Sequence, residues 1–421
     1  MRVLLILLLI AEPLLILRRY IKSEKNGSVI GFVLNPLLYF LVLSYLYFLV
    51  PAAFLDIYIE VFGFHFLEGD IYIIRILYVY YNILFLLIFC LSSDNAIKIR
   101  HSFLSINLQI FMKIYLFFLT VLLIYVLFTE FANINMLRED RGAAFSYYTS
   151  NVHFKYKISF VNINVIVLSL LLAINSINKN WFVYLLPYIP IILLDYSHGG
   201  RAISFSVAVA FAILLTIKNN RLPIKKMIIF FSLMIFMGYL QRSGGSIEPL
   251  FSILMALGEF FSTGVTPLIV LKHNIAFQFS ELLLRIILSL LPGIVKAAFN
   301  DVNTSYINTI EEAAGLGYGL AGNLLSEALV YGGMIFALIS PIIICLILYF
   351  INKTFLKKKL IGFLFIILIL CSSQNIIRFS FYESILPILY TIAVWLFYLF
   401  PKLSKNIIIR RNDCYNNIYN I

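Results

Sequence analysis

The chain has 421 residues, of which 62% are hydrophobic and 12% are charged, and its formal net charge is +12. Soluble domains are far less apolar, so the composition excludes a soluble enzyme and predicts a polytopic membrane protein. In such a protein the positive charge is expected in cytoplasmic loops beside anionic lipid, and this interpretation is favoured over nucleic-acid binding. The four cysteines, three of them within apolar runs, resemble neither a disulfide framework nor a zinc site.

Apolar runs close to the ~20 residues that cross hydrocarbon recur along the whole chain. The first run is interpreted as a retained helix rather than a signal peptide, because Glu12, Pro13 and Arg18 follow without a small-residue cleavage site. The pattern predicts an all-α polytopic integral membrane protein, one domain over residues 1–421, with about 11 transmembrane helices. Their expected ranges are Val3–Leu17, Val29–Leu55, Ile71–Leu91, Leu108–Phe128, Ile158–Ile174, Trp181–Leu194, Ala202–Ile217, Met227–Leu240, Ala328–Ile351, Leu360–Leu370 and Ile385–Phe400.

Basic residues concentrate in every second connection between these helices. Such clusters mark cytoplasmic loops, so their alternation sets the orientation of the bundle and predicts a cytoplasmic C-terminus. The clusters are Arg18, Arg19, Lys22 and Lys25; Lys98 and Arg100; Lys218, Arg221, Lys225 and Lys226; Lys353 and Lys357–Lys359; and Lys402, Lys405, Arg410 and Arg411. The other connections, among them residues 138–141, 198–201 and 378–383, are then expected on the outer side.

Two outer segments are longer than a turn, residues 129–157 and residues 241–327. The second contains the apolar stretches Pro249–Leu271 and Phe279–Val295. These stretches either span, which raises the total to about 13 helices, or form interfacial or re-entrant helices. The second alternative is favoured, because Glu259, Glu281 and Arg285 are costly in lipid unless they face a cavity.

The loop His198-Gly199-Gly200-Arg201 lies between two apolar helices at the predicted outer surface. An arginine is always charged and donates hydrogen bonds in pairs, which suits a phosphate or pyrophosphate. The glycines allow the backbone to approach a ligand closely. The alternative is a tight turn followed by an ordinary charged membrane anchor.

A few other outer residues are candidates for chemistry. Arg138 and Arg141 flank two carboxylates, a pattern that suits hydroxyl-rich ligands and also an ordinary solvated loop. Arg242 and Arg378 are further candidates for anion binding, or else a membrane-end anchor and an ion-pair partner. Glu327 precedes a long apolar helix as either a solvated helix start or a partly buried base. No nucleophile–histidine or metal-ligand spacing stands out, so a remaining chemistry is transfer of a group already activated on a lipid pyrophosphate.

The segment Ser326–Gly333 reads Ser-Glu-Ala-Leu-Val-Tyr-Gly-Gly and follows a Gly-x-Gly sequence, and the segment Ser197–Ala202 lies between two mid-chain helices. Both segments resemble the bacterial O-antigen polymerase (Wzy) family. The chain length, the number of spans and the large late outer loop are similar to that family as well. The resemblance in architecture covers nearly the whole chain.

The resemblance implies a periplasmic glycosyltransferase of the inner membrane. Its donor and acceptor would both be undecaprenyl-pyrophosphate-linked oligosaccharides, with a chain-length regulator of the Wzz type as a further partner and without a cofactor or metal. Arg201 is then assigned to the donor pyrophosphate, with Arg242 and Arg378 as second candidates, and Glu327 to the general base, with His198 as second choice. The alternatives are an O-antigen ligase, whose acceptor is lipid A-core, and a polysaccharide flippase or transporter.

Overall fold

A computed structural model of the chain describes residues 2–61, 63–94, 97–99, 104–131, 152–177, 180–197, 202–229, 232, 263–289, 306–315, 322–355, 360–378, 388–389, 391–392 and 408–410. The helices are α1 Arg2–Lys25, α2 Val29–Val33, α3 Pro36–Ser44, a π-helix Tyr45–Leu49, α4 Val50–Val61, α5 Glu68–Leu91, α6 Ile106–Phe131, α7 Val152–Asn175, a 3-10 turn Trp181–Leu185, α8 Tyr188–Ser197, α9 Ala202–Asn219, α10 Thr263–Lys272, α11 Phe279–Ser289, α12 Tyr306–Ala314, α13 Leu324–Phe355 and α14 Leu360–Arg378.

Four of the described helical segments are long and apolar enough to cross a membrane: Pro36–Glu60, Glu68–Leu91, Ile106–Thr129 and Leu324–Lys353. Helix α6 shows why lipid is needed around them, since Phe117, Phe118 and Phe128 are 64%, 64% and 73% exposed. Rows of large apolar side chains on a protein surface are stable only where something apolar covers them. The protein is therefore a helical membrane protein.

Most predicted spans coincide with described helices, with shifted ends. Helix α7 begins at Val152, six residues before the predicted Ile158, and α13 begins at Leu324, four before the predicted Ala328. The predicted helices Met227–Leu240 and Ile385–Phe400 lie mostly outside the described residues, so the total of about 11 spans stays a prediction. The structure also contains a pair of short antiparallel strands that the all-α prediction did not include. They are β1 Ile97–Ile99 and β2 Ile408–Arg410.

The predicted helix Val29–Leu55 is divided by two prolines. Pro36 starts α3, because Asn35 caps it by accepting a hydrogen bond from Leu37 N at 3.1 Å. Pro51 has no amide hydrogen to give the Tyr47 carbonyl, and the turn just before it widens into the π-helix. The aromatic core of the bundle lies beside this π-helix, where the Phe48 ring is 5.5 Å from Tyr78 and 5.3 Å from Tyr81.

Helix α13 is interrupted at Gly333, whose φ of 59° and ψ of −154° lie outside the helical region. Only glycine adopts this conformation without strain. The break frees carbonyls of the preceding turn, and Phe277 N donates to Val330 O at 2.8 Å. The short first part, Leu324–Gly332, is called the half-helix below. It carries Glu327, and the second part, from Met334 to Phe355, continues as an apolar helix.

Contacts between connections gather the basic clusters at one end of the bundle. The Arg19 guanidinium pairs with Asp94 at 2.7 Å, and Arg221 pairs with Glu24 at 3.5 Å. Leu104 N donates to Asn175 Oδ1 at 2.9 Å, and β1 and β2 bring the tail to the same region. These connections are the ones that the charge alternation assigns to a common side.

We expect this basic end to face the cytoplasm. An alkaline phosphatase fused after Tyr415 should therefore be inactive, and a fluorescent protein fused at the same place should fluoresce, because each reporter folds on only one side of the membrane. A matched pair of fusions in the Gly63–Phe66 connection should give the opposite result. Strong phosphatase activity after Tyr415 would reverse the orientation of every loop.

Candidate functional site

The sequence-predicted site residues divide into two groups. Glu327 and Arg378 are described, and both are buried, with 4% and 8% of their surface exposed. The residues His198, Arg201, Arg242, Arg138 and Arg141 lie outside the described part of the chain. Glu327 lies on the half-helix of α13.

The half-helix begins with a reciprocal capping box. Asn323 Oδ1 accepts from Ser326 N at 2.8 Å, and Ser326 Oγ accepts from Asn323 N at 2.9 Å. This arrangement satisfies two backbone donors, one at the helix start and one just before it. Both side chains are fully buried, so the helix starts inside the protein rather than in solvent.

Asn323 also ties the half-helix to two other helices. Its amide nitrogen donates to Tyr78 Oη at 3.0 Å and to Thr263 O at 2.6 Å, and Tyr78 Oη donates to Gly264 O at 2.9 Å. The Thr263 carbonyl needs such a donor, because the residue four positions on is Pro267, which has no amide hydrogen. One asparagine thus caps α13 and replaces the hydrogen bond that α10 loses at its proline.

The start of the half-helix lies deep in the bundle. Tyr78 follows the first residue of α5, Glu68, by ten residues, which is about 15 Å of helix at a rise of 1.5 Å per residue. On the other side, Gly264 lies so close to α4 that a Cβ there would be 2.7 Å from Pro51 Cβ. The half-helix therefore starts beside the middle of α5 rather than beside its end.

The sequence left Glu327 as either a solvated helix start or a partly buried base, just before a helix from Ala328 to Ile351. The structure contradicts the solvated start, because Glu327 is buried on the first turn of the half-helix. Its backbone nitrogen makes the first hydrogen bond within the helix, to Asn323 O at 3.0 Å. Because Asn323 and Ser326 already form the cap, the Glu327 carboxylate is not required for capping.

The surroundings of Glu327 are polar as well as aromatic. Tyr81, one turn after Tyr78 on α5, is within electrostatic range of the carboxylate, and its hydroxyl hydrogen-bonds Ser340 Oγ at 2.8 Å. Tyr331, one turn after Glu327, packs against Phe277 and Tyr306 with ring centroids 5.9 and 6.1 Å apart.

Arg378 is the last residue of α14, which packs against α13, the helix of Glu327. A guanidinium at the end of a helix interacts favourably with the negative end of the helix dipole. Its burial nevertheless indicates a role beyond a solvent-exposed membrane anchor, because charged groups are buried where they are paired or functional.

Sequence reasoning missed Asp195. This buried residue, near the end of α8, accepts hydrogen bonds from Ser204 N at 2.7 Å and Ser204 Oγ at 2.6 Å. Ser204 lies in the first turn of α9, where the helix dipole also favours a carboxylate. The pair closes the connection that contains His198 and Arg201. The available signal was a lone acid within the apolar run of residues 188–197.

We expect Asn323→Ala to destabilise the protein by ~2–4 kcal/mol, since it removes a cap worth ~1 kcal/mol and the buried hydrogen bond to the Thr263 carbonyl, whose loss costs ~1–3 kcal/mol. Asn323→Asp keeps the cap acceptor but places a negative charge against that carbonyl, so it should be at least as destabilising. Thermal unfolding of the purified protein in detergent measures both. The control is Asn107→Ala, at an exposed position in the first turn of α6, and its midpoint should be unchanged. An Asn323→Ala midpoint equal to that of the control would contradict this account of the helix start.

The chain matches no family model, no curated protein and no solved structure.

Proposed function

We propose that the protein is an O-antigen polymerase, a glycosyltransferase that joins undecaprenyl-pyrophosphate-linked oligosaccharide repeats on the periplasmic side of the bacterial inner membrane. The observation that carries the proposal is the buried carboxylate of Glu327, which lies on the first turn of the capped half-helix. Its helix, α13, packs against α14, which ends at the buried Arg378. An acid and an arginine on packed helices supply a base and a clamp for a leaving pyrophosphate.

In this mechanism a hydroxyl at the nonreducing end of the acceptor repeat attacks the anomeric carbon of the donor glycan. The new glycosidic C–O bond forms as the bond to the pyrophosphate breaks, and the hydroxyl proton passes to Glu327. Arg201 stabilises the charge that develops on the departing undecaprenyl pyrophosphate, and Arg242 and Arg378 are further candidates for this task. His198 is the second candidate for the base, and Arg138 and Arg141 bind sugar hydroxyls.

In this scheme Asp195 holds together the two ends of the loop that contains Arg201. The loop runs from the end of α8 to the start of α9, and Asp195 and Ser204 join these two ends by two short hydrogen bonds. A donor arginine is effective when its position is fixed before the reaction, because preorganised groups need not reorganise as charge develops. Asp195 is thus a positioning residue in this scheme.

A second candidate, a flippase or transporter, is favoured by the break at Gly333. Interrupted helices near the middle of the membrane are typical of transporters, where they surround substrate and ion sites. The half-helix has this form, with its start in the interior and a carboxylate on its first turn.

The surface polysaccharide of a deletion strain tests these alternatives. Loss of a polymerase leaves lipid A-core with one repeat, and complementation restores the ladder. A strain that lacks all glycan on the core but retains lipid-linked polymer would indicate a ligase. Accumulation of lipid-linked single repeats facing the cytoplasm would indicate a flippase. Either of the last two outcomes contradicts the proposed polymerase.

A further inference from the structure

A second buried carboxylate, Glu12, lies on α1, a helix that the proposed polymerase chemistry does not use. It is at the middle of α1, in the apolar run of residues 3–17, and its side chain is fully buried. Neither of its carboxylate oxygens accepts a hydrogen bond from the described residues, and it has no ion pair among them. A charged carboxylate without a partner is very costly in such surroundings, so it requires a cation or a proton.

Asn82, beside the Glu12 carboxyl, places a further hydrogen-bond acceptor at this position. Asn82 on α5 interacts with the Glu12 carboxyl, and its amide nitrogen donates to Ser44 Oγ at 3.1 Å. The Ser44 hydroxyl donates its own hydrogen to Leu41 O at 2.8 Å, so the amide group facing Ser44 must be the NH2. Asn82 Oδ1 is therefore fixed as an acceptor, and it too is buried. These three buried acceptor atoms lie close together, and the described residues place no donor within hydrogen-bond distance of any of them.

The backbone at this level is fixed in position. Pro13 has no amide hydrogen for the Leu9 carbonyl, and Tyr45 Oη donates to that carbonyl instead, at 3.1 Å. Tyr45 is the first residue of the π-helix, a distortion that is frequent at functional sites. Glu12 is therefore presented to Asn82 by a built arrangement of three helical segments rather than by an incidental turn.

No basic side chain is available to neutralise Glu12 among the described residues of the elements packed against α1. The other titratable or charged groups of these elements have partners of their own or are exposed. On α1, Arg19 pairs with Asp94, Arg18, Lys22, Glu24 and Lys25 are exposed, and Tyr20 packs against Phe32. On the π-helix and α4, Tyr45 donates to Leu9 O, Tyr47 accepts from Gln374, Tyr58 packs against Phe64, Asp56 pairs with Arg75 and Glu60 is exposed. On α5, the tyrosines within two turns of Asn82 bond elsewhere: Tyr78 to Gly264 O, Tyr80 to Leu338 O and Tyr81 to Ser340 Oγ.

We propose that Glu12 and Asn82, whose amide group is oriented by Ser44, form an intramembrane site for one exchangeable monovalent cation. As a proton it resides on the Glu12 carboxyl and supplies the hydrogen that the acceptors lack. As Na⁺ it is held by the carboxylate and amide oxygens, which suit a hard cation. The site is independent of the proposed polymerase chemistry, and it gives the helices α1 and α5 a means of responding to the cation content of the surrounding solution.

The test uses dicyclohexylcarbodiimide, a hydrophobic reagent that modifies protonated carboxyls in apolar surroundings. The full-length protein is labelled in native membranes, and peptide mass spectrometry measures the modification of Glu12. We expect Glu12 to be labelled, the label to be lost in Glu12→Gln, and Glu60→Gln, at an exposed position of α4, to label like the wild type. A water-soluble carbodiimide should not label Glu12.

Two titrations identify the cation. Labelling that falls as pH rises, without an effect of Na⁺, identifies a proton site. Labelling that falls with added NaCl but not with choline chloride, at constant pH, identifies a sodium site. Absence of Glu12 labelling at every pH, or labelling that changes with neither pH nor Na⁺, would overturn the proposal. Because these measurements use the wild-type chain, they remain decisive if Glu12→Gln fails to fold.

Discussion

Glu327→Gln is expected to abolish polysaccharide elongation while leaving the protein folded. Glutamine keeps the size and most of the hydrogen bonding of the side chain, but it cannot take the proton from the attacking hydroxyl of the acceptor glycan. General base catalysis typically contributes ~10²–10⁴-fold in rate. The measurement is the surface-polysaccharide ladder of a deletion strain that produces the variant, together with its abundance and thermal unfolding midpoint. The half-helix should remain intact, because Asn323 and Ser326 provide its cap independently of Glu327.

The matched control is Glu312→Gln, which alters an exposed glutamate of α12 and should leave the ladder normal. A normal ladder from Glu327→Gln would remove this residue from the role of base. His198→Ala, in the same strain, is then the next variant to measure. A loss of both protein and ladder in Glu327→Gln would instead assign the carboxylate a structural role.

Arg201→Ala is expected to reduce the rate of elongation by ~10²–10³-fold, the usual cost of removing one preorganised group that stabilises developing charge. Arg201→Lys keeps the charge but loses the planar pair of donors, so it should be impaired to a smaller extent. Quantified ladder length over time, at equal protein abundance, measures this order of effects. Arg221→Ala provides the control, because Arg221 is an exposed arginine at the basic end of the bundle.

Near-normal ladders from Arg201→Ala would assign this arginine to membrane anchoring. Equal loss in the alanine and lysine variants would show that the planar fork is essential, rather than the charge alone. The same comparison at Asp195, between alanine and asparagine, separates positioning from binding: asparagine retains an oxygen that accepts from Ser204 N, so it should restore part of the activity that alanine loses.

Hydrophobic runs predicted most helices of this protein because a membrane admits little else. They could not predict where those helices break. The start of α13 depends on Asn323 meeting Tyr78 and the carbonyl freed by Pro267, and these three residues come from distant parts of the sequence. The same holds for Pro13, whose freed Leu9 carbonyl is taken by Tyr45. A proline in an apolar run predicts a free carbonyl, but only the fold shows which donor reaches it.

The candidate site was predictable in part. Glu327 and Arg378 stood out as rare charges near helix ends, and both are buried. The depth of Glu327 was not predictable, because it follows from the break at Gly333, and two adjacent glycines have many uses in a helix. Asp195 and Glu12 were visible as single acids within apolar runs, but their importance depends on partners, Ser204 and Asn82, that the sequence does not connect to them.

Polymerisation by the purified protein is the most direct test of the proposed function. The full-length chain is reconstituted in proteoliposomes, and the lipid-linked repeat that accumulates in the deletion strain serves as both donor and acceptor. We predict a ladder of two, three and more repeats on the lipid, formed without ATP and lost with Glu327→Gln. If wild-type protein with a normal unfolding transition leaves the single repeats unchanged, the assignment as a polymerase is wrong.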